Sequence, residues 1–411
     1  MSSLVSSQNR VESPFIIVTI GEYTFGHCTK SAQSGVLKVS YPNYMESLNV
    51  TKINGAVNTY TIKMVYAITQ NDDPNMLEKV FSSVSESRLI KISYGDWNMP
   101  NFVFREEEAI ITKITSNVDF QNSRINYTIT CTSSSLSLKA GNFSFPYRKA
   151  KPSDILKELL SNKIYGLIDI FYGMKNSTQN AFLNLIASND KVAEIQAKPN
   201  INILDYVDYL VNCMTNVNEP ADATIKSYVY RWAVYDDISN DMGGPYFKVI
   251  CLDKNIKYNL SYNTYEIDIG YPSGNFVTSF NINNNEAWSI LYKYSEKIKQ
   301  PQYAYKINDQ GLMESTYSPA LTNSSKYFGT TEATKTWWSQ VTSYPITAQI
   351  TIKGLMRPAL LMSYLKVNTY FYGHKHLSSG LYIISKQEDI IDSSGYRTNL
   401  TLTRLSGDEM S

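Results

Sequence analysis

The chain has 411 residues and a mass of 46.7 kDa, room for roughly two to four domains whose cores need no disulfide or metal staple. Its 38 Lys and Arg against 37 Asp and Glu leave a net charge of +1, which excludes the global positive field that holds phosphate backbones or anionic lipid. Charged residues are only 18% of the chain, while Tyr occurs 32 times and Asn 36 times, so neutral polar groups and phenols cover surface that other proteins give to Lys and Glu. Buried protein–protein surfaces show that exchange, and an assembly component is the first reading. An AT-rich coding sequence produces the same bias whatever the protein does.

The first twenty-one residues contain one apolar run, Phe15–Ile20, too short for a secretory signal core. No stretch reaches the ~18 apolar residues of a spanning helix, so the chain is expected in the cytosol unless a particle carries it out. Residues 1–10 read as a tail. From 11 to 145 the text is strand-like, with Phe15–Ile20, Val36–Tyr41 and Ala56–Thr69 rich in Val, Ile, Tyr and Thr. One helix is expected here, with Asp73 as N-cap and Pro74 as its first residue, reaching about Glu86. A hairpin follows: Ile110–Ser116 alternates, turns near Gln121–Ser123, and returns with Ile125, Tyr127, Ile129 and Cys131 on one face.

Residues 146 to 245 read as a compact mixed α/β module. Pro152, Ser153 and Asp154 start a helix with Ile155, Leu156, Leu159 and Leu160 as its apolar stripe. Ile203, Val207, Leu210, Val211 and Met214 mark a second helix, Ala181–Ser188 a third, and Tyr228–Tyr235 a hairpin. From 246 to 411 strands return at Phe247–Leu252, Thr264–Ile269, Phe276–Ile282, Ala348–Ile352, Tyr364–Tyr372, Gly380–Lys386 and Tyr396–Arg404. A polar insertion at about 299–344 carries a short helix, Thr334–Val341, with Trp337 and Trp338. The fold class is mainly β with an α+β insertion.

The catalytic inventory is close to empty. His374 and His376 would share one face of a strand, which is how a metal site begins, yet no third ligand is near and they read as a solvated strand-end pair. Glu106, Glu107 and Glu108 point in alternating directions on a strand and read as a solvated charge run rather than an acid/base pair. His27 and Cys28 are adjacent, so their side chains diverge and fail as a dyad. Cys131, Cys213 and Cys251 lie far from Cys28 and from one another, and reduced, mostly buried thiols are expected. Trp337 and Trp338, with Tyr327 and Tyr344, read as core or protein contact, the other use being stacking on sugars or bases. No phosphate loop, dinucleotide fingerprint, G-x-S-x-G or H-E-x-x-H occurs. The expectation is no catalytic, cofactor-binding or metal residue, and no enzyme.

The text from Ser379 to Arg404 resembles the end of baseplate hub proteins of tailed phages and phage-derived injection machines. Gly380, Tyr382 and Ile384 fit a G-x-Y-x-I strand, and Gly395, Tyr396, Thr398, Leu400, Leu402 and Arg404 fit the returning G-Y-x-T-x-L-x-L-x-R strand. Pro152–Leu160 is similar to the helix start after that family's first β domain, and Ile110–Leu138 to its closing hairpin. A histidine common in the C-terminal connection is replaced by Gln387 and Glu388, and a Pro-Gly turn by Pro358-Ala359. The resemblance implies two tail-tube-like β-barrel domains, 11–145 and 246–411, flanking the module at 146–245. It also implies a homotrimer whose six barrels match a six-fold tail tube protein to a three-fold central spike or needle. Baseplate wedge proteins are further implied partners, genomic DNA is passing cargo, there is no stable membrane anchor, and the place is the virion tail tip, assembled in the host cytoplasm. The rival readings are a receptor- or glycan-binding tail protein and a cell-wall-degrading tail enzyme.

Overall fold

The computed structural model describes residues 2–5, 11–26, 41–42, 44–70, 73–83, 89–96, 105–139, 141–161, 186–219, 228–236, 246–253, 264–270, 276–284, 304–307, 313–316, 346–355, 357, 360–376 and 378–407. The fold is mainly β. In chain order its principal elements are β1 (Ser2–Ser3), β2 (Pro14–Ile20), β3 (Tyr23–Gly26), β4 (Met45–Ile53), β5 (Thr59–Ala67), α1 (Met76–Ser83), β6 (Leu89–Asp96), β7 (Arg105–Asp119) and β8 (Arg124–Ser133). There follow α2 (Pro152–Ser161), α3 (Ile203–Cys213), β9 (Tyr228–Tyr235), β10 (Tyr246–Asp253), β11 (Thr264–Ile269), β12 (Val277–Asn284), β13 (Ile346–Lys353), β14 (Tyr364–Phe371), β15 (Gly380–Asp392) and β16 (Gly395–Gly407).

Sixteen described strands join in one hydrogen-bonded sheet, with the main path β1-β11-β14-β15-β4-β5-β8-β7-β6-β2-β3 and a branch from β15 through β16 and β13 to β12. Strand β15 joins early and late parts of the chain. Its first residues, Gly380 to Ile383, pair with β14, whereas Lys386 to Ile391 pair with Ile53 to Leu48 of β4. Strand β16 runs along the other edge of both parts. A register shift between Ile384 and Lys386 lies at the change of partner, where an extra residue bends the strand.

Period-two patterning places the cores. Tyr60, Ile62, Met64 and Tyr66 of β5 face Ile125, Tyr127, Ile129 and Cys131 of β8, and Leu77 and Val80 of α1 close over the same cluster. A second cluster gathers Ile350 and Ile352 of β13, Leu365 and Val367 of β14, and Leu400 and Leu402 of β16. A third holds α2, α3 and the β9–β10 ribbon, with Trp232 and Phe247 stacked at 5.1 Å. Each fully buried aliphatic or aromatic side chain contributes about 1.5–3 kcal/mol.

Helix α2 begins at Pro152 and buries Ile155, Leu156, Leu159 and Leu160, as its stripe requires. Helix α3 is capped by Asn202, whose side-chain oxygen accepts the Asp205 N–H at 2.9 Å. Helix α1 starts two residues later than Pro74, because the Asp73 carboxylate accepts the Asn75 N–H at 2.9 Å and holds a turn there. The expected continuation to Glu86 lies outside the described residues.

Other expectations meet different geometry. Tyr228–Tyr235 is one strand, not a hairpin; it pairs over its whole length with β10, so the strand expected to open the last β region packs Phe247 and Val249 into the helical module's core. Within the expected helix Ala181–Ser188, Ile186 makes a parallel bridge to Val249, which a helical residue cannot do, and 181–185 lie outside the described residues. In the expected tail, Ser2 and Ser3 pair with Tyr265 and Glu266 and Leu4 is buried. Strands β3, β4 and β6 were not anticipated. Most of Val36–Tyr41 and all of Thr334–Val341 lie outside the described residues; within the polar interval, Ala304–Ile307 pairs with Met313–Thr316.

Candidate functional site

The inward positions of five neighbouring strands turn from apolar to polar at one end of the first core. On β4 they run Leu48, Val50, Lys52; on β5, backwards, Met64, Ile62, Tyr60; on β6, Ile90, Ile92, Tyr94; on β7, backwards, Ile111, Ala109, Glu107; on β8, Ile129, Cys131, Ser133. Period two sends all of these side chains to the same side. The polar ends are buried, with Lys52 at 5% exposure and Tyr60, Tyr94, Glu107 and Ser133 at 0%.

Across this layer comes Asp236, immediately after β9, also 0% exposed. Lys52 forms an ion pair with Glu107, and the Tyr94 hydroxyl donates to Glu107 Oε1 at 2.7 Å. The Tyr60 hydroxyl lies 2.7 Å from Glu107 Oε2 and 2.9 Å from Asp236 Oδ2. Asn58 Nδ2 donates to Asp236 Oδ2 at 2.8 Å and to the Val234 carbonyl at 2.9 Å, and Ser133 Oγ donates to Asp236 Oδ1 at 2.6 Å. Backbone bonds cross the same seam, from Gly55 N–H to the Trp232 carbonyl at 2.8 Å and from Glu108 N–H to the Asp236 carbonyl at 3.3 Å. Burial, with the charges of Asp236 and Glu107, holds the Tyr60 phenol well above its ordinary range. Burial is also the main cause that pushes Asp236 up to about 6, with Glu107 adding to it and the Ser133, Asn58 and Tyr60 hydrogen bonds opposing. The network fastens the helical module to the sheet and stores charge and a phenol out of water. Breaking one member of such a buried pair costs about 3–5 kcal/mol.

Glu107 therefore departs from the reading of Glu106–Glu108 as a solvated run. Glu106 reaches out to Lys91, but the middle carboxylate points into the core. His374 and His376 are exposed at a strand end, and His376 Nδ1 lies 2.8 Å from Ser378 Oγ. Among the described residues no three His, Cys, Asp or Glu side chains gather as a metal set. Cys131 and Cys213 are buried and Cys251 is half-buried, none of the three in a disulfide; burial pushes the Cys131 thiol up to about 12. His27, Cys28, Tyr327, Trp337, Trp338 and Tyr344 lie outside the described residues. A depression of about 300 Å³ beside α2 is lined by Phe145, Pro146, Arg148, Ile155, Glu158, Leu159 and Tyr206; its floor is the Phe145–Tyr206 ring stack, and Arg148 and Glu158 pair at 2.8 Å. No described helix is long and apolar enough to cross a membrane.

No family model and no curated protein matches the chain. Solved structures do match. A tail protein from Neisseria meningitidis MC58 superimposes over 96% of this chain and 97% of its own, with a TM-score of 0.51 and 9% identity. The 43 kDa tail protein of prophage MuSo2 from Shewanella oneidensis superimposes over 95% and 98%, with a TM-score of 0.50 and 10% identity. From end to end, therefore, the chain is built on the fold of these phage-type tail proteins.

Proposed function

We propose that the protein is a structural component of a phage-type tail, and within it the hub that joins a six-fold tail tube to a three-fold central spike. The observation that carries this reading is the fold shared over nearly the full length of both partners with two tail proteins. The motifs at Gly380–Ile384 and Gly395–Arg404 support the hub assignment, since they form the paired strands β15 and β16 on which both parts of the sheet converge. In this reading three copies assemble into a ring around a channel, with genomic DNA as transient cargo, and tube, spike and wedge proteins as neighbours at the tail tip. A net charge of +1 suits a conduit, because each neutralised phosphate adds salt-dependent affinity that would impede passage. The protein acts by assembly rather than catalysis, and purified cell wall incubated with it is expected to release no fragments.

Cryo-electron microscopy of the purified particle, with the chain tagged, tests the placement: density for three copies at the tube–spike junction is the expected result. The mass of the isolated assembly, alone or beside its spike, should be about 140 kDa per hub, three times 46.7 kDa. Label found along the tail shaft, on fibres, or absent from the particle overturns the hub reading.

A further inference from the structure

The hydrogen count at Tyr60 does not close if both neighbouring carboxyl groups are ionised. A phenol has one O–H, yet the Tyr60 oxygen lies at hydrogen-bond distance from Glu107 Oε2 and from Asp236 Oδ2. With two carboxylates, one of those contacts sets lone pair against lone pair in a site closed to water. One more proton resolves it: a carboxylic acid on one side donates to the phenol oxygen, and the phenol donates to the carboxylate on the other.

The surroundings decide which carboxyl holds that proton. Lys52 from β4 pairs with Glu107, and Tyr94 from β6 donates to it, so Glu107 on β7 is the anion. Asp236 meets Tyr60 from β5, neutral Ser133 from β8 and the Asn58 amide, with no cation touching it among the described residues. We propose that Asp236, Tyr60 and Glu107 form a one-proton clamp: the acid form of Asp236 ties the helical module to the sheet, and loss of its proton loosens the seam. The direction of the Asp236 shift, up to about 6 chiefly through burial, agrees with this assignment.

The sign follows from linkage. A carboxyl raised in the folded state, against about 3.9 when unfolded, stabilises fully below its unfolded value. That contribution is lost as pH rises through the folded value, near 6. The closed seam is thus favoured in mild acid, opposite to the trend of an ion-paired aspartate.

Hydrogen exchange of the full chain reads the seam at the Gly55 and Glu108 amides, which bond across it. After correction for intrinsic exchange, their protection should be roughly tenfold or more greater at pH 5 than at pH 7.5. In Asp236→Asn, which keeps the shape and removes the titration, the two values should agree. Equal pH dependence in both proteins overturns the proposal. Should Asp236→Asn fail to fold, infrared spectra of the unmodified chain decide instead: a buried protonated carboxyl band that disappears with a midpoint near 6 supports the clamp, and its absence at pH 5 overturns it.

Discussion

Asp389 has both carboxylate oxygens occupied inside the sheet. Oδ1 accepts the Tyr396 hydroxyl at 2.8 Å and Thr398 Oγ1 at 2.6 Å, and Oδ2 accepts Gln387 Nε2 at 2.8 Å. All four side chains are buried. Replacing Asp389 by Ala removes an acceptor from the Tyr396 hydroxyl and the Gln387 amide, while Thr398 keeps the Leu355 carbonyl at 2.9 Å, and denaturant unfolding should show a loss of about 2–3 kcal/mol. Asp392, three residues on, makes a useful contrast. Its carboxyl bonds Ser394 and Arg397 at a turn, which holds it below the usual carboxylate range, but the pair is partly solvated, and Asp392→Ala should cost at most about 1 kcal/mol. At this scale the sequence was only half legible. Gln387 is buried and pairs with Lys52 of β4, a neighbour that its own stretch of sequence does not announce. In the sequence the charge of Glu107 masks its inward position. It stands two and four residues before Ala109 and Ile111, on the inward face; that spacing was the available signal. Lys52, 55 residues away, and Asp236 could not be paired with it without the topology.

Gly270, at the end of β11, shows how closely neighbouring elements approach. Its φ is +85°, and a Cβ there would lie 2.2 Å from the Tyr370 carbonyl oxygen of the adjoining strand. Gly395, the first residue of β16, has φ +110° but open space around it. Ala at 395 should therefore cost about 1–2 kcal/mol of backbone strain, whereas Ala at 270 should cost visibly more, because the parallel β11–β14 pairing must shift. Thermal unfolding of the two variants side by side tests the ordering. Elements with uninterrupted period were readable in advance: β8, α2, α3, β11 and β16 begin and end within a few residues of the pattern. Strand β4 was not, since a register shift between Met45 and Ser47 breaks its alternation, and Lys52 sits where an apolar residue would mark the inward face. The β9–β10 pairing was hidden for another reason: nothing local ties Tyr228–Tyr235 to Tyr246–Asp253 rather than to the later strands.

The whole molecule carries nearly balanced side-chain charge, 38 Lys and Arg against 37 Asp and Glu, and the proposed channel role turns on that balance. In gel retardation at about 0.15 M salt the purified protein should leave duplex DNA unshifted at micromolar concentration; tight, salt-sensitive binding would point instead to a dedicated nucleic-acid surface. The mainly β class was legible in composition and periodicity. The meeting of early and late strands along β15 was not, because register between segments so far apart leaves no trace in either one alone. That meeting governs how the protein is made. Asn49 touches Glu388 across 339 positions, so during translation β4 emerges with its outer edge bare and must wait for β15. At ordinary ribosomal speeds of about 5–20 residues per second, the wait is roughly 17–70 s. Through that interval the nascent chain presents an open strand edge in a crowded cell. Such an edge is a surface on which a chaperone can hold the growing chain, and chains that stop short of Gly380 leave it unsealed.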